Sequence, residues 1–395
     1  MTQIPLFKVL NAPEAAQAVA EVLASGHVAQ GPKVDQFERA LEKALGCYPG
    51  QEILTVNSGT SALHLAMVLA GVGPGTEVIA TPMTCAATIM PIVHLGAKIV
   101  WADVDPVTGL IDFKDVGRKL SSNTKAVVAV DWAGTPCDYE MLHWVIRNVP
   151  SSNGRAMVIE DAAHAFEALY PTPDGLLSLP HAMADKPHII CWSFQAIKHL
   201  NTGDGGALLA MAHTQEHQHW LTERARKLRW FGLDRTSSKD FRCEQLISEA
   251  GFKFHMSDIT AAIGLANLDS AVTAVGMHKS NARLLHGHLE DLRVRLGGKV
   301  TYAPYHAGSS YWVFTILVED RASFQKFMAE QGIITSQVHR RNDEHPAFAA
   351  RAELGPPLPG LDHFASKQCS IPCGWWMSRE DLERVAHAVY QWTKL

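Results

Sequence analysis

The chain is predicted to be an α/β protein, with a mainly parallel seven-stranded sheet flanked by helices and a smaller α+β unit after it. Three observations lead to this. Seven short β-rich runs alternate with helical stretches between about Ile53 and Leu209, the pattern of strands joined by crossover helices. The runs are almost continuously apolar, as strands covered on both faces are. After Met211 the alternation stops, and helices, a polar turn-rich segment and isolated strands take its place.

The elements follow in order. Asn11-Ala-Pro-Glu14 reads as an N-cap with a glutamate three residues on, and opens a helix to about Ala24. A Gly/Pro loop, GHVAQGP, leads to a second helix, Val34–Leu45. The strands are ILTV (53–56), EVIA (77–80), KIVW (98–101), AVVAV (126–130), MVIE (157–160), HIICWSF (188–194) and GALLAM (206–211). Helices such as Ser61–Ala70 and Asp138–Asn148 lie between them. Beyond come a helix at about Thr214–Lys227, the turn-rich FGLDRTSSKDFRCEQ, and two helices, Ser257–Val275 and Lys279–Leu296. A strand (311–318), a helix (Ala322–Gln331), a strand (333–339) and a last helix (Ser378–Trp392) complete the chain. The domain boundary is placed near 245, dividing a large domain (1–245) from a small one (246–395).

Composition narrows the function. The 395 residues are 47% hydrophobic and 19% charged, enough for a large buried core. A formal net charge of -5 gives no case for a nucleic-acid or membrane surface. The start, MTQIPLFKVL, lacks the basic and apolar regions of a secretory signal, and no apolar run approaches the roughly 20 residues of a bilayer span. Seven cysteines with scattered spacing and no CxxC read as reduced thiols of a cytoplasmic protein.

Three segments carry chemistry. NSGTSAL (57–63) follows a strand and opens a helix, so its glycine and the helix N-terminus suit a phosphate, although Ser-Gly-Thr also serves as a plain N-cap. VIEDAAHA (158–165) ends an apolar strand on two acids. Buried there, Asp161 needs a cationic partner such as a protonated pyridine, unless it merely caps a helix. SFQAIKHLNTGDGG (193–206) sets Lys198 just past a strand, where an amine among apolar neighbours can lose its proton and attack an aldehyde; the alternative is a surface lysine. Together they supply the protein side of a pyridoxal-phosphate (PLP) site.

In this order NSGTSAL, EDAAHA and SFQAIKHLNTGDGG resemble the DegT/StrS-type sugar aminotransferases, of the aspartate aminotransferase fold type I. GPKVDQFE, PGTEVIATPMTCAAT, ADVDPVTGLID and GFKFHMSDITAAIGLANL extend the likeness from about residue 26 to the C-terminus. The resemblance implies Lys198 as the Schiff-base lysine and proton shuttle, and Asp161 as partner of the pyridinium nitrogen. It implies that Gly59, Thr60 and Ser193 hold the phosphate. His164 stands where the family usually has glutamine, near the phenolic oxygen, and Cys85 where many members stack an aromatic on the ring. Lys253, with His255 close by, matches a segment that reaches across a dimer interface to the neighbouring phosphate. Arg229 matches an arginine assigned to the donor carboxylate. His339, Arg340 and Arg341 fall where the family places substrate-facing residues.

The implied activity is transfer of an amino group, from glutamate, to a keto sugar, nucleotide-linked, through the pyridoxamine form in a homodimer. A sugar dehydratase is disfavoured because those relatives replace the lysine with histidine. A PLP-binding regulator without turnover is disfavoured by the complete Asp161/Lys198 pair. No metal is expected. His213-Thr-Gln-Glu-His217 matches a zinc-protease pattern by chance on a solvated helix, and Asp103-x-Asp105 reads as structural. Trp375 and Trp376 are expected to pack the last helix.

Overall fold

Seven strands form one sheet: β1 (Ile53–Val56), β2 (Glu77–Ala80), β3 (Lys98–Trp101), β4 (Thr124–Val130), β5 (Met157–Asp161), β6 (His188–Ser193) and β7 (Gly206–Met211), in the order β1-β7-β6-β5-β4-β2-β3. The computed structural model describes residues 3–150, 156–235, 244–352 and 355–395. The expected turn-rich segment lies outside the described residues over 236–243. All seven expected strand runs belong to this sheet. Strands β3, β2, β4, β5 and β6 run parallel, and β7 lies antiparallel between β6 and β1.

Alternate residues of the same strands feed two cores, which is why the runs read as continuously apolar. On one face Val127, Val158, Ile190 and Leu209 meet Val34, Phe37 and Leu41 of helix α2 (Pro32–Ala44). On the other, Val78, Val128, Ile159 and Ile189 meet Leu63 and Leu65 of α3 (Gly59–Leu69) and Ile89 of α4 (Ala86–His94).

The antiparallel placement of β7 fixes the site. Its first residue, Gly206, pairs with both Val56 and Ser193, the last residues of β1 and β6. The segments that leave β1 and β6 and the end of β5 therefore open on one edge of the sheet. That is the carboxyl edge, where open α/β sheets bind ligands.

Several expectations at lower hierarchy fail for tertiary reasons. The first helix begins at Ala15, with Glu14 as its N-cap and no side-chain cap. Asn11 is used elsewhere, accepting from Asn201, while the Ala12 N–H donates to Asn267. The two helices expected at 257–275 and 279–296 are one helix, α5 (Asp258–Leu292), capped by a Ser257/Thr260 capping box. Gly276 costs this helix about 1 kcal/mol relative to alanine, but flanking Ala271, Val275 and Ala282 are buried and hold it straight. By length and composition α5 could cross a membrane. Its two halves are instead shared between two protein cores: Ala261, Leu268 and Ala271 join the sheet core, and Ala282, Leu285 and Leu289 join that of the small unit. The change of core thus falls inside α5, later than the boundary expected at 245.

The small unit is a three-stranded antiparallel sheet, β8 (Val300–Tyr302), β9 (Phe314–Val318) and β10 (Gln368–Ile371), packed on α5 and on the last helix, α6 (Arg379–Trp392). The run 333–339 makes only single bridges, Ile333 to Ile4 and Ser336 to Ser370, because Val338 adopts a φ of 60° and breaks the extension. The chain start crosses to this unit through the same Ile4 bridge, and the Trp376 indole donates to the Pro5 carbonyl.

Candidate active site

A hollow of about 340 Å³ opens at the carboxyl edge of the sheet. It gathers Gly59, Thr60, Cys85, Asp161, His164, Ser193, Lys198 and His339 from five separate segments of the sequence.

Lys198 lies in the turn after β6, its N–H donating to the Gln195 carbonyl. Its amine rests 3.9 Å over the Trp312 ring, whose indole N–H donates to the Ile197 carbonyl. Burial pulls the amine down to about 8, against the opposing pull of Asp161 and Cys85. About a tenth of the amine is therefore free base at pH 7, far more than for an ordinary lysine.

Asp161 ends β5 and is 4% exposed. One carboxylate oxygen accepts from the Thr88 hydroxyl at 2.6 Å, which is itself 2.7 Å from Thr84; the other accepts from the Ala163 N–H at 3.1 Å. Burial pushes this carboxyl up, and these two bonds and Lys198 work against the rise. Among the described residues Asp161 makes no salt bridge. A buried carboxylate held by donors but lacking a cation fits a protonated pyridine ring.

The phosphate end is equally constrained. Ser58 caps α3 by accepting from the Ser61 N–H, so the plain N-cap reading is also correct. A Cβ on Gly59 would meet the Ser193 Cβ at 2.7 Å, and one on Gly206 would meet the Gly59 nitrogen at 2.6 Å. Only glycines allow these three chain segments to close into a cradle at the helix N-terminus, where first-turn N–H groups lack intrahelical acceptors. The residues present fit PLP at each of its three recognition points: aldehyde, ring nitrogen and phosphate.

His164 lies flat on Trp312, with ring centroids 4.0 Å apart and planes 18° apart, and its Nε2 is 3.4 Å from that of His339. Burial, followed by the charge of Lys198, keeps His164 neutral and holds His339 at about 3. Cys85 is exposed at the N-terminus of α4 and brings no aromatic face to the hollow; the rings that line it belong to Phe7, His164, Trp192, Trp312 and His339.

Four expected residues lie elsewhere. Arg229 is 2% exposed, with its guanidinium donating to Glu38 at 2.5 Å and to the Thr55 carbonyl at 2.8 Å. It is locked in the core behind β1, so its expected contact with a donor carboxylate is corrected. Arg340 turns away from the hollow and pairs with Glu344 at 2.7 Å; it lines a neighbouring polar hollow of about 390 Å³ that reaches the active one only at His339. Lys253 is exposed, with its amine 4.0 Å over the Trp230 ring, and does not line the hollow of its own chain. Arg341 is engaged by Asp343 and Asp362.

Thr88 and Trp312 were missed by sequence reasoning. Thr88 follows Thr84 by one helical turn in TPMTCAAT, a legible spacing for two hydroxyls on one face. Trp312 carries no local signal, because the backbone turns at Tyr311, with a φ of 47°, just before β9. Asp103 accepts from the N–H groups of Gly360 and Leu361, and His213 contacts the Asp185 carbonyl. A larger, aromatic hollow of about 710 Å³ lies between the units, bounded by Trp132, but holds none of this constellation.

The model of the DegT/DnrJ/EryC1/StrS aminotransferase family matches residues 10–390. Among solved structures, AtS13 from Actinomadura melliaura is 38% identical, with 99% of each chain covered and a TM-score of 0.85. The sugar aminotransferase CalS13 from Micromonospora echinospora is 32% identical over 98% of this chain and 99% of its own, with a TM-score of 0.85. The aminotransferase TlmJ from Streptoalloteichus hindustanus is 27% identical over 99% and 98%, with a TM-score of 0.83.

Proposed function

The chain belongs to the DegT/DnrJ/EryC1/StrS aminotransferase family, and from that premise we propose that it moves an amino group from L-glutamate to a nucleotide-linked keto sugar by a ping-pong cycle. PLP is the cofactor of this family. The observation that carries the proposal is the meeting of Lys198, with its amine drawn down to about 8, and the salt-bridge-free carboxylate of Asp161 in one hollow. The sugar aminotransferase CalS13 among the similar structures supports a sugar acceptor.

When bound, PLP supplies an aldehyde and an electron-withdrawing protonated ring. Lys198 would hold it through Nζ and, when free, would take up and return the proton of the reacting carbon. Asp161, held by Thr88 and the Ala163 N–H, would keep the ring nitrogen protonated. Gly59, Thr60 and Ser193 would hold the phosphate, and His164 would serve the phenolic oxygen. Trp312 and Phe7, stacked at 4.7 Å, cover the amine and keep water from it. His339 is the substrate-facing residue of the small unit. In a homodimer Lys253, exposed on its own chain, would reach the neighbouring phosphate. The free thiols of the six described cysteines fit the reducing cytoplasm.

The test replaces Lys198 with alanine. Turnover and the absorbance band of covalently held cofactor should both vanish; full turnover in Lys198→Ala would overturn the proposal. The acceptor is identified by presenting nucleotide-linked 3-keto and 4-keto sugars with glutamate and reading amination by mass.

A further inference from the structure

Glu160, the acid beside Asp161, plays no part in the site just described, yet its surroundings determine one proton. It is completely buried and points to the opposite face of β5 from Asp161. One of its oxygens lies 2.9 Å from Nε2 of His188, and Nδ1 of His188 lies 3.1 Å from Nε2 of His143. On the other side stands Asp131, also completely buried, directly after β4. One Asp131 oxygen accepts from the Tyr139 hydroxyl at 2.6 Å and from the Cys137 N–H at 2.9 Å. The second Asp131 oxygen and the second Glu160 oxygen are both buried with no hydrogen-bond partner, and each carboxyl acts electrostatically on the other.

The hydrogens of this chain can be placed one at a time. Burial keeps His143 and His188 neutral. His143 then donates from Nε2 to Nδ1 of His188, and His188 donates from Nε2 to Glu160. Tyr139 and the Cys137 N–H donate to Asp131. Two buried oxygens remain without a donor, Asp131 Oδ2 and Glu160 Oε1, and both are acceptors unless one carries a hydrogen. Two carboxylates in contact without a cation do not both ionise.

We propose that Asp131 and Glu160 share one buried proton, and that Glu160 is a positioning residue for Asp161, because the held proton limits the pair to a single negative charge beside the carboxylate that faces the cofactor ring.

The other groups packed on the pair do not supply this proton at neutral pH. Burial pushes the Tyr139 hydroxyl and the Cys137 and Cys191 thiols up, so they stay protonated. Lys186 and Arg147 act on His143 and lower it. Burial raises Asp131 to about 7 and Glu160 well above the carboxylate range. A carboxyl raised on folding contributes stability below its unfolded value and loses it as pH rises through the folded one. The pair is therefore an alkaline switch. Its second charge, when it appears, strains the ends of β4 and β5 and adds repulsion beside Asp161.

The proposal builds on the PLP reading, but its first test does not use PLP. Infrared spectra of the cofactor-free protein at pH 6.5 should show a protonated-carboxyl band that disappears as pH rises and is absent from both Glu160→Gln and Asp131→Asn. Each amide donates in place of the shared proton and leaves every other bond of the chain intact. In the holoenzyme, cofactor affinity of the wild type should fall about tenfold relative to Glu160→Gln as pH rises through the loss of that band, with Asp131→Asn matching the variant. No titrating carboxyl band in the wild type, or the same alkaline loss in both amide variants, would overturn the assignment. If one variant does not fold, the other and the wild-type band decide the matter. A failed PLP reading would remove the affinity effect but leave the infrared one.

Discussion

Two cations withdrawn from solvent, Arg229 beside β1 and Lys198 after β6, have opposite fates. Arg229 sits behind β1 with Glu38 and the Thr55 carbonyl on its guanidinium. Lys198 sits in the hollow with no carboxylate in salt-bridge range among the described residues, and only an indole face at 3.9 Å. Arginine cannot give up its proton in a protein, so burial obliges the fold to supply a counterion. Lysine can, so burial without a counterion makes it a nucleophile. The contrast separates a cation that holds the structure from one that performs chemistry.

The most severe way to break this comparison is Arg229→Met. Glu38 would keep its bonds from Thr55 but lose its cation, and breaking a buried pair typically costs about 3–5 kcal/mol. Urea unfolding should show a loss of that size, while the protein that remains folded keeps its affinity for glutamate. A large rise in the glutamate KM with unchanged stability would instead return Arg229 to the substrate role that the sequence suggested.

That mistaken role shows where sequence reading stops. The sheet was legible because crossover topology writes itself locally, as an apolar run, a turn and a helix repeated along the chain. The phosphate turn, Asp161 and Lys198 were legible for the same reason, since each follows a strand of that sheet. Arg229, by contrast, has a signature only in its partner, Glu38, which lies 191 residues earlier. Trp312 and His339 enter the hollow from the small unit on backbone turned by Tyr311 and Val338, both at positive φ. Neither residue type announces that conformation, which tertiary packing imposes. β8 was missed because a strand of three residues is too short to show a period, and β10, QCSI, because it lacks the apolar run of the four-residue strands in the large sheet.

A sharper probe of the Lys198 half is its pH dependence. With the amine at about 8, capture of PLP by the cofactor-free protein should accelerate about fiftyfold from pH 6 to 8 and then level off. A lysine at its ordinary value would keep gaining well past pH 9. Stopped-flow absorbance across pH 6–10 separates the two. Continued acceleration beyond pH 9 would mean that burial does not control this amine.

The mildest perturbation tests how the hollow keeps Lys198 from neutralising entirely. Asp161 raises the lysine, and it can do so only while ionised. Thr88 helps to keep it ionised through a 2.6 Å hydroxyl bond. Thr88→Val preserves shape and removes that donor, worth about 1.5–3 kcal/mol to a charged acceptor. Asp161 then takes up a proton more readily, the lysine loses part of its counter-charge, and its amine titrates at lower pH. PLP capture at pH 7 should become about twofold faster. Retention of the captured cofactor should weaken, because a protonated Asp161 no longer matches a pyridinium. The two effects have opposite signs, which a general loosening of the hollow would not produce. If capture slows and retention weakens together, Thr88 supports packing alone, and the electrostatic link from its hydroxyl through Asp161 to Lys198 is wrong.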